Sequence, residues 1–134
     1  KVDKGKLREL FEEGSSLMSL DTEVLKIVDS LKKNGYALAM ITNTVKFLSN
    51  FIKEKEVYGK FSPLIASYEV GLRKPDPKIY VLALKGLKLP GEECVFIDDR
   101  EEHLAPASKL GMKTILFKNA AQLKQELKKL NVKI

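Results

Sequence analysis

The sequence contains no tryptophan, one cysteine and one histidine in 134 residues. A lone cysteine, Cys94, excludes an intrachain disulfide, and no apolar run approaches the roughly 20 residues that a membrane span requires. An arginine-rich arm and aromatic residues interleaved with basic ones, both common in nucleic-acid binders, are also missing. We therefore expect a cytoplasmic protein whose partners include neither a membrane nor nucleic acid.

The charge is unbalanced, with 24 Lys and Arg against 18 Asp and Glu and a net charge of +6. The lysines are spread over predicted helix faces, as at Lys124, Lys128 and Lys129, so a solvated basic surface is favoured over a binding patch. An anionic partner remains open, with nucleic acid the weakest candidate. With 44% hydrophobic residues, residues 1–134 are expected to form one domain.

Apolar strand-like segments alternate with helical patterns along the chain. The predicted strands cover residues 36–41, 64–67, 94–97 and 113–117. Helical periodicity lies between them, as at Phe47, Leu48, Phe51 and Ile52. A last helix is predicted after the final strand, where Asn119 with Gln122 resembles a capping box. Alternation of this kind predicts an α/β fold, in which a parallel sheet is covered by helices on both faces. Asp76 followed by Pro77 predicts the start of one of these helices.

Asp98 and Asp99 follow the apolar run that ends at Ile97. Ligands of open parallel sheets bind beyond the carboxyl ends of the strands, so these carboxylates lie where such a fold places its chemistry. Two adjacent carboxylates suit a hard cation such as Mg²⁺. The alternative is that both residues only cap the next turn or helix, for which Asp is a common residue.

Polar residues at two other positions are expected at the same edge of the sheet. Thr42 and Asn43 end one strand, and their hydroxyl and backbone N–H groups suit a phosphate oxygen. Lys74 follows another strand and could neutralise an anion. The alternatives are that Thr42 and Asn43 cap the next helix and that Lys74 is a surface lysine.

These segments resemble motifs II, III and IV of the haloacid dehalogenase-like hydrolase superfamily, over roughly residues 20 to 118. The three matching segments are Ile41-Thr42-Asn43, then Gly71-Leu72-Arg73-Lys74-Pro75-Asp76-Pro77, then Phe96-Ile97-Asp98-Asp99-Arg100. The resemblance implies a three-layer Rossmann-like parallel sheet with helices on both faces. It also implies an enzyme that forms an aspartyl-phosphate intermediate.

The resemblance implies a role for each matching residue. Thr42 and the Asn43 backbone would bind the transferring phosphoryl group, and Lys74 would stabilise its charge and the nucleophile. Asp99 would bind Mg²⁺ directly, whereas Asp98 would act through water or Lys74. Paired aspartates resemble the metal-dependent phosphatases of the superfamily more than its true dehalogenases.

The sequence departs from the family where the nucleophile belongs. No Asp-x-Asp motif precedes Thr42, so we expect the first central strand and most of the cap domain to be absent, with residues 1–18 the tail of the cap. His103 stands where the family often has Asn. Without the first strand, the flanking strands could pair with each other, a second chain or a homodimer could complete the sheet, or the chain could be part of a longer protein.

We therefore expect a magnesium-dependent hydrolase of a small phosphate ester, inactive in this form because the nucleophile is missing. The alternative is a non-catalytic truncated module that binds a partner strand or oligomerises.

Overall fold

The computed structural model describes residues 4–7, 22–44 and 59–134. Strands cover Lys4–Leu7 (β1), Met40–Thr42 (β2), Leu64–Ala66 (β3), Cys94–Asp98 (β4) and Lys113–Leu116 (β5). Helices cover Thr22–Lys33 (α1), Ser67–Val70 (α2), Pro77–Leu87 (α3), Leu104–Lys109 (α4) and Ala120–Lys129 (α5), with 3₁₀ turns at Gly91–Glu93 and Glu101–His103. In the described ranges, none of these helices combines the length and apolarity needed to cross a membrane.

All strand pairings in the described residues are parallel. One sheet has the order β1-β4-β5, and β2 pairs with β3 in a second sheet that contacts β1. β4 pairs on both sides and all five of its residues are buried. The alternation of parallel strands and helices confirms the predicted α/β class.

Helices cover both faces of β4. Val95 and Ile97 belong to one apolar cluster, which includes buried residues of α1 and α5. Cys94 and Phe96 belong to a second cluster, which includes buried residues of α3 and α4. Because successive side chains of a strand point to opposite faces, β4 contributes to two cores and forms the middle layer of the domain.

β1 lies where the sequence offers no strand signal. Lys4–Leu7 contains two lysines and a glycine, yet Lys4 pairs opposite Cys94 and Leu7 opposite Ile97. The edge of β4 that we expected to lack a partner is therefore paired by this chain itself, an arrangement outside the three possibilities considered above. A buried strand edge needs backbone hydrogen bonds, which any residue except proline supplies. Of the predicted cap tail, residues 1–3 and 8–18 lie outside the described residues.

β2 is shorter than the apolar run at 36–41 predicts. Tyr36, Leu38 and Ala39 are buried, but ladder pairing begins only at Met40. Beside this run, Met40 N–H donates to Pro63 O (3.0 Å). Pro63 has no N–H to donate in return, so the regular ladder starts one residue later, at Leu64. The helix predicted from Phe47, Leu48, Phe51 and Ile52 lies outside the described residues.

Two helix starts agree with the sequence. Asp76 caps α3, its carboxylate accepting from Lys78 N–H at 3.0 Å, and Pro77 is the first helical residue. Asn119 caps α5 by accepting from Gln122 N–H at 2.8 Å. These caps satisfy backbone donors that the first helical turn leaves without a partner.

Candidate functional site

The ends of β2 and β4 and the segment before α3 meet at one edge of the sheet. Thr42 ends β2 and is buried, and Asp98 ends β4 with no exposed surface. Lys74 follows the left-handed turn at Gly71, whose φ of +69° ends α2 and favours glycine. The three positions are separate in sequence and are brought together by the contacts described next.

Lys74 connects the two strand ends. Its side chain has no exposed surface, and its Nζ donates to Asp98 Oδ2 at 3.1 Å and to Ile41 O at 3.1 Å. A buried ammonium is tolerated only when it is paired and hydrogen-bonded, as it is here. The alternative that Lys74 is a surface lysine is wrong.

Asn43 binds the backbone of Lys74 through both atoms of its amide. Lys74 N–H donates to Asn43 Oδ1 at 2.9 Å, and Asn43 Nδ2 donates to Lys74 O at 3.0 Å. The sequence resemblance assigned only the Asn43 backbone to the site. The side chain was missed because a contact with a segment far along the chain leaves no periodic signal.

Ser67 anchors Thr44, the residue after Asn43, at the same edge of the sheet. Its Oγ accepts from Thr44 N–H at 2.8 Å and donates to Thr44 O at 2.9 Å. α2, which begins with Ser67, is thereby attached to the residues that follow β2. The segment leading to Lys74 is therefore anchored at Thr44 as well as at Asn43.

Both oxygens of Asp98 accept hydrogen bonds. Oδ1 accepts from Arg100 N–H at 2.9 Å, and Oδ2 accepts from Lys74 Nζ and lies 3.0 Å from Nδ1 of His103. Oδ1 thus accepts from the turn that follows the strand, but Oδ2 accepts from Lys74, so the alternative that Asp98 only caps the next turn or helix is wrong. A carboxylate engaged by so many donors is a poor direct metal ligand, because each bond occupies a lone pair.

Asp99 is the carboxylate that could reach a metal ion directly. It follows the end of β4, is partly exposed, and has a buried Oδ1. Within the described ranges, no three His, Cys, Asp or Glu side chains converge as a metal cluster. Mg²⁺ commonly binds through one or two protein carboxylates and takes its other ligands from water and phosphate, so Asp99 fits an ion of this kind.

His103 belongs to the candidate site, although the sequence analysis noted it only as a departure from the family pattern. It precedes α4 but makes no capping hydrogen bond; instead its buried ring lies against Asp98. Its backbone O accepts from the hydroxyl of Tyr80 at 2.6 Å. The available signal was its five-residue spacing from Asp98 across the 3₁₀ turn, which lets the ring turn back toward the strand end.

The arrangement offers an ammonium group, a hydroxyl-bearing strand end and two adjacent carboxylates at one edge. Such a set can neutralise an oxyanion and hold a hard cation.

The alignments with sequence relatives cover most of this chain but only part of each relative. Bifunctional epoxide hydrolase 2 of Rattus norvegicus is 34% identical over 130 residues, which cover 92% of this chain and 23% of that protein. Glyceraldehyde 3-phosphate phosphatase of Pyrococcus abyssi is 34% identical over 96 residues, covering 69% of this chain and 40% of that protein. The chain therefore spans less than half of either relative.

Solved structures share the fold. An uncharacterized protein from Corynebacterium glutamicum superposes with a TM-score of 0.78 at 19% identity, covering 98% of this chain and 97% of that one. A HAD family enzyme from Bacteroides thetaiotaomicron, in complex with magnesium and inorganic phosphate, has a TM-score of 0.66 at 25% identity, covering 74% of this chain and 53% of that one. The profile of the haloacid dehalogenase-like hydrolases matches residues 3–111, and the chain belongs to that family.

Proposed function

We propose that this chain is the phosphate- and magnesium-binding part of a phosphatase that acts on a small phosphate ester. The observation that carries the proposal is the buried Lys74 Nζ, held between Ile41 O at the end of one strand and Asp98 Oδ2 at the end of another. A fixed ammonium at the ends of parallel strands is suited to the charge of a phosphoryl group.

Each site residue has a separate role in this proposal. Thr42 and the Asn43 backbone bind phosphoryl oxygens, and Lys74 balances their charge. Asp99 holds Mg²⁺, which when bound supplies a second positive charge on the phosphoryl oxygens. Asp98 keeps Lys74 in place.

Relatives support this chemistry. The Pyrococcus relative is named a glyceraldehyde 3-phosphate phosphatase, and the Bacteroides structure holds magnesium and inorganic phosphate. An aspartate-to-alanine mutant of that Bacteroides enzyme also holds both. Loss of one aspartate is thus compatible with binding there, which supports binding without turnover here.

We propose that ester cleavage needs an aspartate nucleophile that this sequence does not supply. β1 ends at Leu7 and is followed in sequence by Arg8 and Glu9, with no Asp-x-Asp motif. An activated carboxylate is required for covalent phosphoryl transfer. The chain is therefore expected to bind phosphate and Mg²⁺ without hydrolysing an aryl phosphate.

Isothermal titration calorimetry with inorganic phosphate tests this function. Phosphate should bind more tightly with Mg²⁺ present, and phosphate should raise Mg²⁺ affinity by the same factor, because linkage is reciprocal. Lys74→Met should abolish binding, whereas Lys124→Met, which removes an exposed charge on α5, should not.

Two results would contradict the proposal. One is wild-type chain that binds no phosphate with or without Mg²⁺. The other is equal loss of binding in both lysine variants, which would indicate nonspecific attraction to the basic surface. If hydrolysis of an aryl phosphate copurifies with the wild-type chain and is lost in Lys74→Met, only the predicted inactivity is refuted.

A non-catalytic strand-binding module is the second candidate. It is favoured by β1, a four-residue strand with two lysines and a glycine beside the fully buried β4. Such residues are weak strand formers, so another strand could replace it. Deletion of residues 1–7, which removes β1, tests this candidate.

A further inference from the structure

We propose that His103 is a positioning residue. It orients the Asp98 carboxylate and thereby keeps the Lys74 ammonium in position to bind phosphate. This inference rests on the proposed function for phosphate binding. Its geometric part, the control of Lys74 by His103, can be tested without phosphate.

Asp98 Oδ2 is shared by two donors. Lys74 Nζ lies 3.1 Å from it and His103 Nδ1 lies 3.0 Å from it, and the side chains of these residues are nearly or fully buried. A carboxylate paired with an ammonium is an acceptor, so Nδ1 carries the hydrogen in this contact. The ring is therefore a donor that aims at the same oxygen as the lysine.

The backbone of His103 is held independently of the ring. Tyr80, which has no exposed surface, donates its hydroxyl hydrogen to His103 O at 2.6 Å. The Tyr80 ring packs edge-on to Phe96 of β4, with centroids 5.2 Å apart. His103 N–H also donates to Arg100 O at 3.1 Å. The His103 backbone is thus held in place while its ring contacts Asp98.

Loss of the ring contact would remove one of the hydrogen bonds that orient Asp98. Arg100 N–H would still hold Oδ1 and Lys74 Nζ would still hold Oδ2. The carboxylate would be less firmly oriented about its bond to Cβ, and so would the Lys74 ammonium that it binds. A hydrogen bond from His103 also draws negative charge from Oδ2, which leaves more of the Lys74 charge for a bound oxyanion.

Phosphate titrations of two His103 variants test the positioning role. His103→Leu, which cannot donate, should weaken inorganic phosphate binding in the presence of Mg²⁺ by about tenfold. His103→Asn, which keeps a side-chain donor, should stay within about threefold of wild type. All titrations are run well below the melting temperature of each variant.

Tyr36→Phe is the matched control. It removes a hydroxyl that accepts from Lys133 N–H at 2.8 Å, away from the site. This variant should lose stability and keep wild-type phosphate affinity. The inference is overturned if His103→Leu binds phosphate like wild type, or if Tyr36→Phe loses as much affinity as His103→Leu.

A second measurement separates failure of the inference from failure of the proposed function. The Lys74 ammonium should give an NMR signal protected from water exchange, because Nζ is buried and hydrogen-bonded. Faster exchange in His103→Leu but not in Tyr36→Phe supports positioning, even if wild-type chain binds no phosphate. Unchanged exchange in His103→Leu overturns it.

Discussion

Gly91 shows how tightly one residue can be constrained. It is buried at the start of the 3₁₀ turn that leads into β4. A Cβ built on it would lie 1.9 Å from Leu110 O and 2.9 Å from the Leu110 carbonyl carbon. Both neighbours are backbone atoms, so no side-chain rotation relieves the overlap.

Gly91→Ala should therefore lower the free energy of unfolding by about 3 kcal/mol, at the upper end of overpacking effects, because the backbone must shift. Urea denaturation measures the change. Gly59→Ala is the control, since its Cβ would meet no atom within 4 Å, and it should stay within about 0.5 kcal/mol of wild type. Equal stability of the two variants would refute this packing.

The sequence predicted the proximity of several candidate residues but not all their contacts. Thr42, Lys74 and Asp98 follow strand-like segments, and strand ends of a parallel sheet share an edge, so their proximity was predictable. The amide of Asn43 contacts a segment 31 residues away, and the ring of His103 reaches back five residues to Asp98 across a 3₁₀ turn. Such contacts depend on how the elements pack, which local residue patterns do not encode.

The secondary-structure elements also divide into those that the sequence predicts and those that it does not. β4, α3, β5 and α5 have strong apolar patterns or caps and form as predicted. β1 has neither, and its strand conformation comes from pairing with β4. β2 is cut short because Pro63 lies beside the run that precedes it. Tertiary context overrides local propensity at both positions.

α3 allows a test of one cap. Asp76→Ala removes the acceptor for Lys78 N–H and should lower the free energy of unfolding by about 1 kcal/mol. Asp76→Ser keeps an acceptor and should recover most of that loss. Thermal and urea unfolding give the comparison. An alanine variant as stable as the serine variant would mean that Pro77 alone determines the helix start.

At the scale of the whole molecule, β1 joins the two sheets. It pairs with β4 and contacts β2, so its removal should expose the buried edge of β4. Unpaired strand edges recruit other strands. We therefore expect a chain lacking residues 1–7 to self-associate.

Sedimentation velocity over a range of concentrations measures this association. Deletion of residues 1–3 alone is the control, because it leaves the paired segment Lys4–Leu7 in place, and it should behave like the parent chain. If both deletions stay monomeric with unchanged melting temperatures, β1 contributes nothing to closing the sheet. An added strand peptide that suppresses association of the longer deletion would favour the strand-binding alternative.

The double contact of the Asn43 amide with Lys74 joins segments that are 31 residues apart. Neither segment can swing outward alone without breaking both bonds at once. The strand end at Asn43 and the segment at Lys74 should consequently separate and rejoin as one cooperative unit, so that hydrogen exchange at the backbone amide of Lys74 reports the lifetime of their contact.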